Sequence, residues 1–290
     1  PQPGAPPVRR GTWLRLVSML VAVALVIGGM QWFAHLRNVA LLGPDGSGVV
    51  VSMSADELPA PEVLHREVPA PGFEEADDPL GTPPSAPASS EYAFIDTQRD
   101  DSGNLVPVAW SPCRPIHVVV DETGAPEGFL DEVVAALGAT SVATGLVFVT
   151  DGVTTEPASE ERRAFLPTLY GDRWAPVLVR FADASEVSAM KGDVVGLSST
   201  QSYEDTRTGL VYYVSGTVYL DSALLHMRGI GGVPAYVQVL RHELGHMVGL
   251  DHVDEFDQLM YPNANRVVTF QDGDLAGLAQ LGAGACAPGL

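Results

Sequence analysis

The segment that most constrains this chain runs from His242 to His252 and reads His-Glu-Leu-Gly-His-Met-Val-Gly-Leu-Asp-His, or H-E-x-x-H-x-x-G-x-x-H. Its first part belongs to a stretch, Gly232 to Gly249, in which Val237, Leu240, Leu244 and Met247/Val248 recur at helical spacing. Pro234 suits the first turn of that helix. Four residues advance an α-helix by about 400°, so His242 and His246 project from nearly the same face, about 6 Å apart along the axis. Glu243 stands about 100° round from His242, beside whatever the two imidazoles hold. Gly249 can take the left-handed conformation that ends a helix, which lets the chain turn back and bring in His252. Three neutral imidazole nitrogens suit one zinc ion and leave a fourth position open, the arrangement of a catalytic rather than a structural site. Glu243 is then placed to take a proton from zinc-bound water. The remaining histidines, His35, His65, His117 and His226, follow no ligand spacing and are read as surface or core residues.

Met260 stands eight residues beyond His252, in Leu259-Met260-Tyr261-Pro262. A methionine in a tight turn after the third histidine marks the metzincins, zinc endopeptidases with a Met-turn. His242–His252 together with Leu259–Pro262 resembles the matrixin branch, whose Met-turn commonly reads L-M-Y-P. The segment Gln271-Asp272-Gly273-Asp274-Leu275-Ala276-Gly277-Leu278 is similar to the matrixin C-terminal helix. The resemblance covers about 232–282, extends from roughly 114 on the order strand–helix–strand, and does not reach residues 1–90.

The resemblance implies an α+β, zincin-like domain with a twisted five-stranded mixed sheet and about three helices, over residues 91–290. It implies a cleft below the edge strand with one catalytic zinc ion on its floor, and Met260 as an apolar base beneath the histidines. A peptide substrate would lie extended and pair with the edge strand, with Val211–Leu220 and Val194–Tyr203 nearest that edge. Residues between His252 and Met260 and just after Pro262, including Asn263, Asn265 and Arg266, would form the specificity wall. Asp251 and Asp257 flank the third histidine and either orient it or are solvated. Asp183, Asp193, Asp221 and Asp251 are acids available to calcium, but no spacing among them assigns a site.

Matrixins often carry a pro-segment cysteine that caps the zinc. Ser111-Pro112-Cys113-Arg114-Pro115 lacks the arginine and glycine of that motif, and Cys113 has one other cysteine in the chain, Cys286. Two readings stand: a disulfide that closes the two ends of the domain in an oxidising space, favoured by the count, and a zinc-capping thiol.

Secondary-structure signals outside the motif are mixed, which favours an α+β or α/β domain over a sandwich. Ile116 to Val120 is a β-branched run closed by Asp121 and reads as a strand. Phe129 to Leu137 puts Phe129, Val133, Val134 and Leu137 on one helical face. Leu146–Val149, Val177–Phe181 and Leu210–Leu220 are further strands. Thr269 with Asp272 reads as a capping box before a final helix carrying Leu275, Leu278 and Leu281.

The N-terminal third has a different character. Residues 1–15 form a basic head with Arg9, Arg10 and Arg15, and residues 16–34 carry no charge. As a helix, 16–34 would span about 28 Å, close to the thickness of the bilayer hydrocarbon, with Trp13 and Trp32 near its ends. The positive-inside rule places the N-terminus in the cytoplasm and the rest outside, as a single-pass membrane protein. The alternative is a secreted protein released by cleavage after a signal segment. Residues 35–90, rich in proline and acids, read as an extended linker.

The 36 acidic residues outnumber 16 basic ones for a formal charge of −20, which excludes nucleic acid as the partner, since phosphate is held by clustered Lys and Arg. The sequence thus predicts a membrane-tethered, exported zinc endopeptidase acting on protein or peptide substrates through Glu-assisted attack of zinc-bound water. The alternative is a non-catalytic, zinc-containing surface binding module. Retention of Glu243 and of all three histidines speaks for the enzyme.

Overall fold

The computed structural model describes residues 41–42, 48–49, 67–263 and 265–290. The chain divides into two units, residues 1–60 and 61–290. In the first, β1 (Leu41–Leu42) pairs antiparallel with β2 (Gly48–Val49). The basic head, the apolar segment 16–34 and most of the linker to residue 66 lie outside the described residues. Among the described residues, no helix is long and apolar enough to cross a membrane.

The second unit opens with a strap and two small ladders. β3 (Ala93–Phe94) is followed by the hairpin of β4 (Thr97–Arg99) and β5 (Leu105–Pro107), then by β6 (Ala109–Trp110). The alternating order expected from the apolar runs follows. It comprises β7 (Ile116–Asp121), α1 (Phe129–Thr144), β8 (Phe148–Val153), the single turn α2 (Pro167–Tyr170) and β9 (Val177–Ala182). Then come β10 (Gly196–Glu204), β11 (Val211–Asp221), α3 (Ala235–Val248), β12 (Leu250–Asp251) and α4 (Asp272–Leu281).

Five strands form a continuous sheet in the order β10-β11-β9-β7-β8, and β6 adds a sixth by pairing with β11. β10 runs antiparallel to β11, whereas the β11–β9, β9–β7 and β7–β8 pairs are parallel. The sheet is therefore mixed, with a crossover helix, α1, between β7 and β8 as parallel pairing requires. Side chains alternate between its two faces. Val118, Val120, Val179, Val218 and Leu220 meet Phe129, Val133, Leu137, Leu240 and Leu244 from α1 and α3 in the main core. Val119, Leu178 and Tyr219 point the other way, into a smaller cluster with Val187 and Met190. On that second side the ion pairs Arg162–Glu156 and Arg180–Asp121 are buried.

Residues 67–90 alter the expected linker. They have no regular structure, but they lie on the domain rather than running free to residue 90. Glu75 accepts from Ser111 Oγ and from the Ala287 amide, and pairs with Arg114 at 3.1 Å. The Ala76 amide donates to Cys113 O at 2.7 Å and the Leu80 amide to Pro112 O at 2.9 Å. Glu74 and Glu75 have partners in the domain, and those partners are distant in sequence. Beside this strap, Cys113 and Cys286 form a disulfide, with Cα atoms 5.3 Å apart, and no described cysteine is free.

Candidate metal centre

α3 buries Val237, Leu240, Leu244, Met247 and Val248 against the sheet. That leaves His242 and His246 on its other side. Gly249 ends the helix at φ 123°, a backbone value that L side chains rarely adopt. Its amide donates to Gly245 O and His246 O, closing the last turn. The chain reverses there into β12, and His252 follows immediately.

The three imidazoles converge through their Nε2 atoms. His242 Nε2 and His246 Nε2 each lie 3.1 Å from His252 Nε2. The other ring nitrogens are already engaged: His242 Nδ1 with Leu259 O and His246 Nδ1 with Leu250 O, both at 2.7 Å. A carbonyl accepts only, so each Nδ1 carries the proton and each Nε2 presents a lone pair. Two lone pairs facing a third ring nitrogen do not satisfy one another. A cation at the centre does, and tetrahedral Zn–N bonds of about 2.0–2.1 Å would set neighbouring nitrogens about 3.3 Å apart. The donor set therefore fits zinc. Burial pushes the pKa of His242 down to about 4, with the neighbouring His246 adding to the effect. Burial also lowers His246 and His252. All three are thus neutral at neutral pH, as metal ligands must be.

Glu243 is buried beside this triad, 6 % exposed. Burial pushes its carboxyl up to about 8, opposed by the Ser198 backbone N–H that donates to it. A nearby cation acts in the opposite sense and favours the carboxylate. The approach of Glu243 to β10 depends on Gly196, because a Cβ there would collide with Glu243 Oε1 and Val239 Cγ1. Nothing in the sequence around Gly196 marked it, since its partner lies on another element.

Met260 is 1 % exposed and packs on α3 at Gly245, where an added Cβ would stand 2.5 Å from its Sδ. The turn that carries it is held by Asp274 on α4, which accepts from Leu259 N at 2.8 Å and Met260 N at 3.2 Å. Asp274 also accepts from Gln271 N at 2.8 Å. The capping box is accordingly Gln271 with Asp274, and not the expected Thr269 with Asp272. The tertiary bonds to the Met-turn fix the helix start two residues further on.

Other nominated residues fall into place less directly. Among the residues expected at the specificity wall, Asn263 and Arg266 are exposed. Asn265 is instead buried and braces the loop, donating to Phe256 O and Gln258 O. Asp251 Oδ1 accepts from the His252 backbone amide at 2.7 Å, while Asp257 is exposed. Of the two edge candidates, β10 is the sheet edge and β11 lies inside the sheet between β10 and β9. His117 sits away from the triad, hydrogen-bonded to Asp151, and His226 lies in a 3-10 turn. His35 and His65 lie outside the described residues. Among the described residues, the groups that could hold a metal are the histidine triad and Glu75 with the two bonded cysteines.

The matrixin family of M10 peptidases matches residues 212–282. That stretch runs from β11 through α3, the third histidine and the Met-turn to the end of α4. The domain is matrixin-like. Comparison with curated proteins found no match. In this matrixin-like domain the convergence of His242, His246 and His252 was legible in the sequence because their spacing is local. Gly196, Gln258 and Trp110, whose Nε1 donates to Met247 O at 2.8 Å across 137 residues, carry no such local signal.

Proposed function

We propose that this chain is an exported, membrane-tethered zinc endopeptidase. The observation that carries the reading is the convergence of three Nε2 atoms beside a buried carboxyl, Glu243, which faces the edge strand β10. His242, His246 and His252 would hold the ion. When bound, zinc acidifies water to a pKa of about 7 and polarises a carbonyl. Glu243 accepts the proton of the attacking water at its carboxylate and returns it to the leaving amine, which is general base and then general acid work by one group. The Leu259 and Leu250 carbonyls keep His242 and His246 in the tautomer that presents Nε2. The outer side of β10 carries no partner strand among the described residues, so an extended peptide can add there and lie across Glu243. Tethering through residues 16–34, with the catalytic domain outside, belongs to the same proposal and rests on the uncharged apolar run behind a basic head.

The test compares the full chain with Glu243→Ala, measuring bound zinc and cleavage of an unfolded protein. Zinc in both and cleavage only by the parent supports the peptidase and the role of Glu243. Zinc in both with cleavage in neither favours a zinc-containing binding module. A folded chain without zinc overturns the metal centre itself.

A further inference from the structure

The carbonyls that orient His242 and His246 belong to two different pieces of chain, and one short strap touches both. Residues 93–94 of β3 pair antiparallel with β12, Phe94 opposite Leu250 and Ala93 opposite Asp251, and the Ile95 amide donates to Gly249 O at 3.0 Å. The strap therefore holds the backbone that supplies Leu250 O to His246. Two residues before β3, Glu91 Oε2 accepts from Gln258 Nε2 at 3.0 Å. Gln258 immediately precedes Leu259, whose carbonyl holds His242.

Gln258 is 2 % exposed and uses both ends of its amide. Its Oε1 accepts from the Gly273 and Asp274 amides at 3.0 and 3.2 Å, two first-turn N–H groups of α4, the second of which the capping box also pairs with the Gln271 side chain. A carboxylate at 258 could accept from α4 but would face Glu91, and a hydrocarbon side chain would leave the Gly273 amide unsatisfied. Only a primary amide meets both sides. The strap also sits closely on α4: a Cβ at Gly273 would collide with Glu91 O, and one at Gly277 would stand 3.0 Å from Tyr92 Cβ. These glycines are one helical turn apart and form the seat for residues 91–92.

We propose that Gln258 and Glu91 are positioning residues for the metal centre, coupling the N-terminal strap to the two carbonyls that orient His242 and His246. The inference rests on the reading of the triad as a zinc site. Outer groups that orient ligands typically contribute 10–100-fold to metal affinity. Glu91 is exposed, so its removal costs the fold little while it uncouples the strap from Gln258.

The test uses the metal-free full chain, titrated with zinc against a chromophoric chelator and with cobalt(II) followed by its visible absorption. Glu91→Ala should weaken zinc about tenfold and alter the cobalt spectrum, while the metal-free melting temperature stays that of the parent. Glu91→Gln, which keeps an acceptor oxygen for Gln258, should restore both affinity and spectrum. Gln258→Leu should weaken zinc further; if it does not fold, the Glu91 pair decides alone. Unchanged affinity and spectrum in Glu91→Ala overturn the proposal. So does an affinity loss that only tracks lost metal-free stability, which is what plain helix capping by Gln258 would give. If the parent binds no zinc, the metal reading fails first and this inference falls with it.

Discussion

His242 Nδ1 and the carbonyl oxygen of Leu259 lie 2.7 Å apart, which ties the first histidine of the triad to the turn that carries Met260. That turn is in turn fixed by Asp274, so the geometry of the first histidine depends on a carboxylate 32 positions further along the chain.

Asp274→Ala should therefore act on both fold and metal. It leaves three backbone N–H groups, of Leu259, Met260 and Gln271, without an acceptor at a site 1 % exposed. Each such group costs roughly 1–3 kcal/mol, so a loss of at least about 3 kcal/mol is expected in urea unfolding of the metal-free protein. Zinc affinity should fall along with it.

Gly249→Ala tests the turn that delivers His252. A Cβ there would stand 2.8 Å from Leu281 Cδ2 and 3.3 Å from Val108 O, on a backbone at φ 123°. Strain and overpacking each cost about 1–3 kcal/mol, against the helix-propensity gain of about 1 kcal/mol that alanine would otherwise bring. A lower melting temperature is expected, and an unchanged or raised one would contradict this account of the turn.

Tyr213 gives a pH dependence with a definite sign. Its hydroxyl is buried without a hydrogen-bond partner among the described residues, and burial, helped by the Asp96 charge, pushes its pKa up to about 12. The folded value lies above the ordinary 10. Below pH 10 both states hold the proton; as pH rises through 10 the unfolded chain loses it first, so stability is lost between about pH 10 and 12. Tyr213→Phe should be neutral or slightly stabilising at pH 7, because no hydrogen bond is given up. Urea melts at successive pH values should show a shallower alkaline decline for the variant than for the parent.

The Cys113–Cys286 bridge spans 173 positions. In the chain-entropy account, closing a loop of that length stabilises by about 5 kcal/mol. The double variant Cys113→Ser/Cys286→Ser should melt well below the parent, and the unreduced parent should show no free thiol on alkylation and mass measurement. Two alkylated thiols would remove the bridge from the account.

Much of the candidate centre was legible in the sequence because its histidines share one helix and one turn. The interval of four between His242 and His246 is a property of the α-helix itself, and Gly249 punctuates it. β7, α1, β9 and β11 were legible for a similar reason, since their periods repeat within a few residues. The strap at 67–90 was not. Up to residue 90 its prolines and acids read as an extended linker, and only the distant Arg114 and Ala287 give that part a place to lie. Asn265 looked like a wall residue by position and became a brace, because its amide reaches two loop carbonyls.

The sequence by itself determined which atoms can meet at the candidate metal centre: spacing on a helix is local geometry, and residue type decides which side chain offers a lone pair. Only the tertiary structure decided how those atoms are held. The tautomers of His242 and His246, the seat of Glu243 against Gly196, the anchoring of the Met-turn by Asp274 and the link from Glu91 to Gln258 are contacts between elements far apart in sequence. Such contacts form only when burial of the shared core brings those elements together, and no local period along the chain encodes them.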